Sequence, residues 1–101
     1  MFKIEVGNSP LMFMTYSKII QEITDSSDIE NSKDSFYAIL SNFGMPIGCG
    51  RLKVEDNLYI IDNIYIYKEY FSKNLVEDLS KQLLKKANSI GLKEKQSWKK
   101  L

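Results

Sequence analysis

Apolar and polar residues alternate briefly in "FKIEV" near the N-terminus, which predicts a first strand, and Gly7, Asn8, Ser9 and Pro10 then break it. Leu11, Met12, Tyr16, Ile19, Ile20 and Ile23 recur at helical spacing, so a helix should follow and lay one stripe against a sheet. Its methionines read as core filler. Asp25 to Asp34, "DSSDIENSKD", is polar and rich in turn formers and reads as a mobile loop. Three strand signals come next, Ser35–Leu40, Pro46–Val54 and Leu58–Tyr67. The links "SNFGM" and "EDN" are short and carry Asn, Gly and Asp, so an antiparallel meander joined by hairpins is expected. A second helix is the clearest element, with Leu75, Val76, Leu79, Leu83, Leu84, Ala87 and Ile90 on one face and Glu77, Lys81, Lys85 and Lys86 turned away. Asn74 suits its N-cap, Glu77 three residues on suits a capping box, and Gly91 suits a left-handed stop. The tail "LKEKQSWKKL" has no sustained period and is open to disorder, a short helix or a degenerate strand. The pattern as a whole is α+β (α/β), a central antiparallel sheet flanked by two main helices.

Composition narrows the chemistry. The 101 residues, 44% hydrophobic and 27% charged, suffice for one core and one domain. A net charge of +1 gives no global pull toward nucleic acid or anionic lipid, although the lysines from Lys68 onward outnumber the acids there. Cys49 is the one cysteine and there is no histidine, so neither an intrachain disulfide nor a Cys/His metal site is expected. The usual base of a nucleophilic triad is missing too, which leaves carboxylates, lysines, tyrosines or water for proton transfer. No apolar run approaches the ~20 residues of a membrane span and no leader is evident, so a cytoplasmic protein without membrane contact is expected.

Particular residues carry a functional and a structural alternative. The glycines flanking Cys49 weaken a strand on propensity, and close backbone or helix packing would explain them. Tyr59, Tyr65 and Tyr67 alternate along one expected face, as a stripe packed beneath a helix or as a peptide or dimer interface. Single-stranded nucleic acid fits less well, because the lysines do not interleave with those rings. Trp98 in the basic tail is either a core anchor or a partner contact.

The stretches "FYAILSNFGMPIGCGRL" and "IIDNIYIYKEYFSKNLVEDLSKQLLKKANSIGL" resemble the central part of the GNAT superfamily of N-acetyltransferases. Members read as a strand with glycine near "vGcgrL", a hairpin, a strand like "EIDRLYV", then "LPEYRGKGIG" opening a long helix. Here "IIDNIYI" stands for that strand, "YKEY" for the approach and "FSKNLV" for the phosphate loop. The resemblance covers roughly residues 35 to 92.

It implies a site. In the family, amides of the loop at a helix N-terminus cradle the pyrophosphate of acetyl-CoA, which maps the cofactor contact onto Ser72, Lys73, Asn74, Leu75 and Val76. The family's Arg or Gln, Gly, and Gly or Ala positions are Phe71, Asn74 and Val76 here, so none is retained. Asn74 is expected to satisfy loop amides itself, Val76 to crowd the anion, and Glu77 and Asp78 to repel it. Strand amides that meet the acetyl group and pantetheine map onto Ile64, Tyr65 and Ile66. Asp62 stands near the family's acidic general base, with a solvent-facing or hairpin-pairing aspartate as the structural alternative. Lys68 and Lys73 could partly offset lost phosphate affinity by charge. Members usually continue past this helix with a strand, a helix and a hairpin, so a truncated domain is expected. The open edge of the Leu58–Tyr67 strand would then be covered by homodimerisation or by the tail. Two functions follow: an acetyl-CoA-dependent N-acetyltransferase acting on an amine the sequence does not identify, or a non-catalytic relative that binds a protein partner or itself.

Overall fold

The computed structural model describes residues 1–26, 29 and 34–95. Most of the Asp25–Asp34 loop, and Trp98 with the rest of the tail after residue 95, lie outside them. The elements run β1 (Phe2–Gly7), α1 (Pro10–Thr24), β2 (Phe36–Asn42), β3 (Met45–Glu55), β4 (Leu58–Ile66), a 3₁₀ turn at Lys68–Tyr70, α2 (Lys73–Ser89) and β5 (Lys93–Glu94). They build one sheet in the order β1-β2-β3-β4-β5. The first four strands pair antiparallel, whereas β5 pairs parallel to β4 after the crossover through α2. The β2–β3 hairpin turns on Phe43 and Gly44, both at positive φ (50° and 82°), the twist that a two-residue hairpin demands.

α1 starts where Ser9 Oγ accepts the Met12 N–H (3.2 Å), with Pro10 in the first turn. Tyr16, Ile19 and Ile20 are buried against Tyr37, Ile39 and Cys49 of the sheet, with Met12 and Ile23 partly covered. Leu11 departs from the expected stripe and is 71% exposed. It precedes Tyr16 by five residues, about 140° around a helix with ~3.6 residues per turn, and so faces outward.

On the other face, Leu75, Leu79, Leu83 and Ala87 of α2 pack on Ala38, Leu40, Leu52 and Ile66. Leu84 and Ile90 lie at the rim of that stripe and are exposed. The N-terminus also differs from expectation. Ser72, extended at φ −153°, is the cap, and its Oγ accepts the Leu75 N–H (3.1 Å). Asn74 is therefore already inside the first turn, and Glu77 stands too far along to close a capping box with Ser72. At the far end Gly91 takes φ 77°, with Leu92 N–H to Ala87 O (3.0 Å) and Gly91 N–H to Asn88 O (3.2 Å), a Schellman stop.

β4 carries the decisive irregularity. Arg51 pairs with Asp62 and Cys49 with Tyr65, so Gly50 alone faces both Asn63 and Ile64, a β-bulge with Asn63 at φ 53°. The extra residue reverses which side chains face which helix. Tyr59 and Ile61 before the bulge, and Ile64 and Ile66 after it, all join the α2-side core. Tyr65 joins the α1-side core. The tyrosine stripe expected along one face is thus divided, with Tyr59 under α2 and Tyr65 under α1. The glycines flanking Cys49 have the close-packing role: a Cβ at Gly50 would sit 2.9 Å from Leu83 Cδ1, and one at Gly48 would sit 3.0 Å from both Ile66 Cγ1 and the Tyr65 carbonyl oxygen.

After α2 the described chain forms a two-residue fifth strand. β5 pairs Lys93 and Glu94 with Leu58 and Tyr59, and the Lys95 N–H reaches Tyr59 O (3.0 Å). The degenerate-strand alternative for the tail holds at these residues, and they cover the start of the β4 edge. From Ile60 to Ile66 that edge has no strand partner among the described residues. No described helix is long and apolar enough to cross a membrane.

Two outcomes follow from this packing. Gly48→Ala should destabilise the fold by ~1–3 kcal/mol, because the nearest atoms include backbone that cannot rotate away; an unchanged urea midpoint would contradict the close approach. Burial also pushes the Tyr16 phenol from 10.0 up to about 12, and the Cys49 thiol from 9.0 up to about 12. The unfolded chain therefore loses these protons first as pH rises from 9 toward 12, binds fewer protons than the native state there, and stability falls with rising pH. The thermal midpoint should drop across that window and drop less in a Tyr16→Phe, Cys49→Ala double variant; equal slopes would rule this cause out.

Candidate functional site

A cavity of about 420 Å³ opens between the C-terminal half of α1 and the β3–β4 pair, lined in part by Tyr16, Ile20, Arg51, Lys53, Asn63 and Tyr65. Its polar residues come from adjacent elements for local reasons. Arg51 and Lys53 are two apart on β3 and so share the α1 face. The bulge brings Asp62 and Tyr65, three positions apart, to that face as well. Arg51 donates through Nε to Asp62 Oδ1 (2.8 Å) and through Nη2 to Asp62 Oδ2 (2.7 Å), a bidentate pair with the arginine side chain 16% exposed. The hydrogen bond to Asp62 raises the Arg51 guanidinium above its already high range, against the opposing effect of burial. Asn63 Nδ2 donates to Tyr16 Oη (2.9 Å), tying the bulge to α1. Tyr67, at the end of β4, donates its hydroxyl to Glu22 of α1, and burial first, then Glu22, pushes its phenol up to about 12.

Asp62 is thus the hairpin-pairing aspartate of the structural alternative, with both oxygens accepting from Arg51. Sequence reasoning did not select Arg51, Asn63, Tyr16 or Lys53. The available signal was that Arg51 is the one arginine and lies opposite an aspartate across a short hairpin.

The open edge of β4 sorts the other candidates. Tyr67 N–H donates across to Ile47 O of β3 (2.9 Å). The Tyr65 carbonyl oxygen lies against Gly48 of β3, and the Asn63 carbonyl accepts from Cys49 Sγ (3.8 Å). In a trans peptide the N–H points opposite the preceding carbonyl, so the Ile64 and Ile66 amides point to the open edge. Tyr65 has its side chain against α1 and its backbone toward β3. The loop residues sit at the start of α2, with Leu75 buried, Ser72 and Val76 half-buried, and Lys73 and Asn74 exposed. The Leu75 N–H goes to Ser72 Oγ and the Val76 N–H to Ser72 O (3.2 Å), leaving the Lys73 and Asn74 amides without a protein acceptor among the described residues. Self-capping is present as expected, but Ser72 performs it rather than Asn74. Phe71, where the family carries Arg or Gln, is 61% exposed and lines a second cavity with Glu22, Tyr67, Lys68 and Glu69.

No family model and no curated protein matches this sequence. Solved structures do. An acyl-CoA N-acyltransferase from Pseudomonas aeruginosa superposes with a TM-score of 0.72 at 9% identity, over 89% of this chain and 73% of that one. An aminoglycoside acetyltransferase from an uncultured soil metagenomic sample gives 0.75 at 11%, over 96% and 78%. Glucosamine-6-phosphate N-acetyltransferase from Arabidopsis thaliana gives 0.68 at 13%, over 98% and 84%. At these identities the likeness is one of fold. The chain therefore has the acyl-CoA N-acyltransferase fold of the GNAT superfamily.

Proposed function

We propose that this chain transfers an acetyl group from acetyl-CoA to a primary amine, holding the cofactor along the open edge of β4. The observation that carries this reading is the pair of outward amides at Ile64 and Ile66, beside a bulge and unmatched by any described strand. Unpaired amides on an inner stretch of edge are a liability unless something accepts from them. An extended chain with carbonyl oxygens, such as pantetheine, fits that need. Acetyl-CoA, when bound, brings the acyl group as an activated thioester.

The residues present divide in their fit to the rest of the cofactor. Lys73 and Asn74 offer two first-turn amides to a pyrophosphate, and Lys68 and Lys73 offer charge. Ser72 already holds the Leu75 amide, and Glu77 and Asp78 place negative charge close behind. The grip on phosphate should therefore be weak, and binding should rest more on the strand edge. The Asp62 carboxylate keeps lone pairs beyond its two bonds to Arg51, enough for a water to pass the amine's proton to it. Positioning would supply most of the rate.

The self-capped helix favours a second reading, a non-catalytic GNAT-like module whose open edge pairs with a protein partner or a second copy of itself. Calorimetric titration with acetyl-CoA and with CoA separates the two, run beside an Asn74→Gly, Val76→Gly variant checked by circular dichroism. The natural chain should bind acetyl-CoA, and the variant should bind roughly tenfold more tightly, about 1.4 kcal/mol. Binding by the variant alone would favour the non-catalytic module, and binding by neither would remove the cofactor from the account.

A further inference from the structure

The hydrogen-bonding groups around the α1-side cavity are not balanced. Arg51 spends Nε and Nη2 on Asp62, which leaves Nη1 without an acceptor among the described residues. Lys53, half-buried on the same strand face, has no carboxylate partner among them. Tyr16 is fully buried, and its oxygen accepts from Asn63, so its own proton needs an acceptor that no described residue provides. Thr24 is already engaged, donating to Ile20 O (2.7 Å). The described lining of the cavity holds no carboxylate, and Asp62, on the same sheet face, is turned to Arg51 with both oxygens. A phenol proton and a guanidinium N–H with no described acceptor, beside a lysine with no described carboxylate partner, suit an anion.

The neighbouring strand β4 adds acceptors. Asn63 and Tyr65 line the cavity from β4, the strand whose far edge would hold the proposed thioester, and Asn63 Oδ1 and the Tyr65 hydroxyl can accept from an amine. A volume of about 420 Å³ suits a small molecule.

We infer that the amine accepted here carries an acid group, a carboxylate or a phosphate, which docks between Arg51, Lys53 and Tyr16 while the amine faces Asn63 and Tyr65. This rests on the acyl-transfer reading for the identity of the reacting end, though the anion pocket itself stands on its own donors. The molecule is then a short amino acid or an amino phosphate rather than a polyamine, whose second cation would meet Lys53 with no described carboxylate partner.

Because Arg51 is the one arginine, its side-chain Nε–H gives a single reporter in a ¹⁵N spectrum. The natural chain is titrated, with and without acetyl-CoA, with β-alanine, with 2-aminoethyl phosphate and with ethanolamine, which lacks the acid. The Arg51 Nε–H and the Asn63 side-chain amide should shift with an acid-bearing amine and not with ethanolamine, and response to only one of the two acids would name the anion. Lys53→Met should weaken that binding tenfold or more and Lys53→Arg should restore it. Equal response to ethanolamine, or no response to either acid while acetyl-CoA binds, would overturn the inference and leave acyl transfer standing. A response to the acids in a chain that never binds acetyl-CoA would keep the anion pocket and overturn acyl transfer.

Discussion

One inserted residue in β4 organises everything around it. Without the bulge at Asn63, strict alternation would send Tyr65 to the same side as Tyr59, under α2, and Asp62 and Tyr65 could not share a face. With it, the apolar residues on both sides, Tyr59, Ile61, Ile64 and Ile66, all face α2, and the polar set collects under α1. The positive φ at Asn63 is a strained choice for a side chain, and the structure holds it by bonds at both ends: Asn63 Nδ2 to Tyr16 and the Asn63 carbonyl accepting from Cys49. Gly50 is opposite because a side chain there would strike Leu83 and Ile64.

The same irregularity separates the two halves of the proposed site. The outward amides of Ile64 and Ile66 belong to the edge, whereas Arg51, Lys53 and Tyr16 belong to the α1 face, and Asn63 stands between them. A cofactor on one side and an acceptor on the other would therefore meet at the bulge. The helix N-terminus contributes less than the family pattern implies, because Ser72 engages an amide that an anion would otherwise take. Helix stability and phosphate affinity draw on the same N–H groups, and here Ser72 Oγ already holds one of them.

Much of the fold was legible because its signals are local. The α2 stripe repeats for several turns, Gly91 marks a left-handed stop, and Asn42, Gly44, Asp56 and Asn57 sit at the hairpins. What escaped depends on pairing. "IIDNIYIY" is apolar on nearly every position, so nothing in it marks which residue is extra; β3 decides that through its register. Arg51 and Asp62 become partners only once that register is set. Ser72 and Asn74 are both good caps, and the extended backbone at Ser72 chooses between them. β5 is a polar pair of residues with no strand signal of its own, made a strand by the edge it meets.

Amide hydrogen exchange along β4 tests the central claim most directly, since it reports the bulge and the open edge at once. Tyr65 and Tyr67 should exchange slowly, held against β3, while Ile64 and Ile66 exchange rapidly and slow when acetyl-CoA is added. Ile64 and Ile66 protected as strongly as Tyr65 and Tyr67 in the free chain would contradict the account, because the edge assigned to the cofactor would already be occupied.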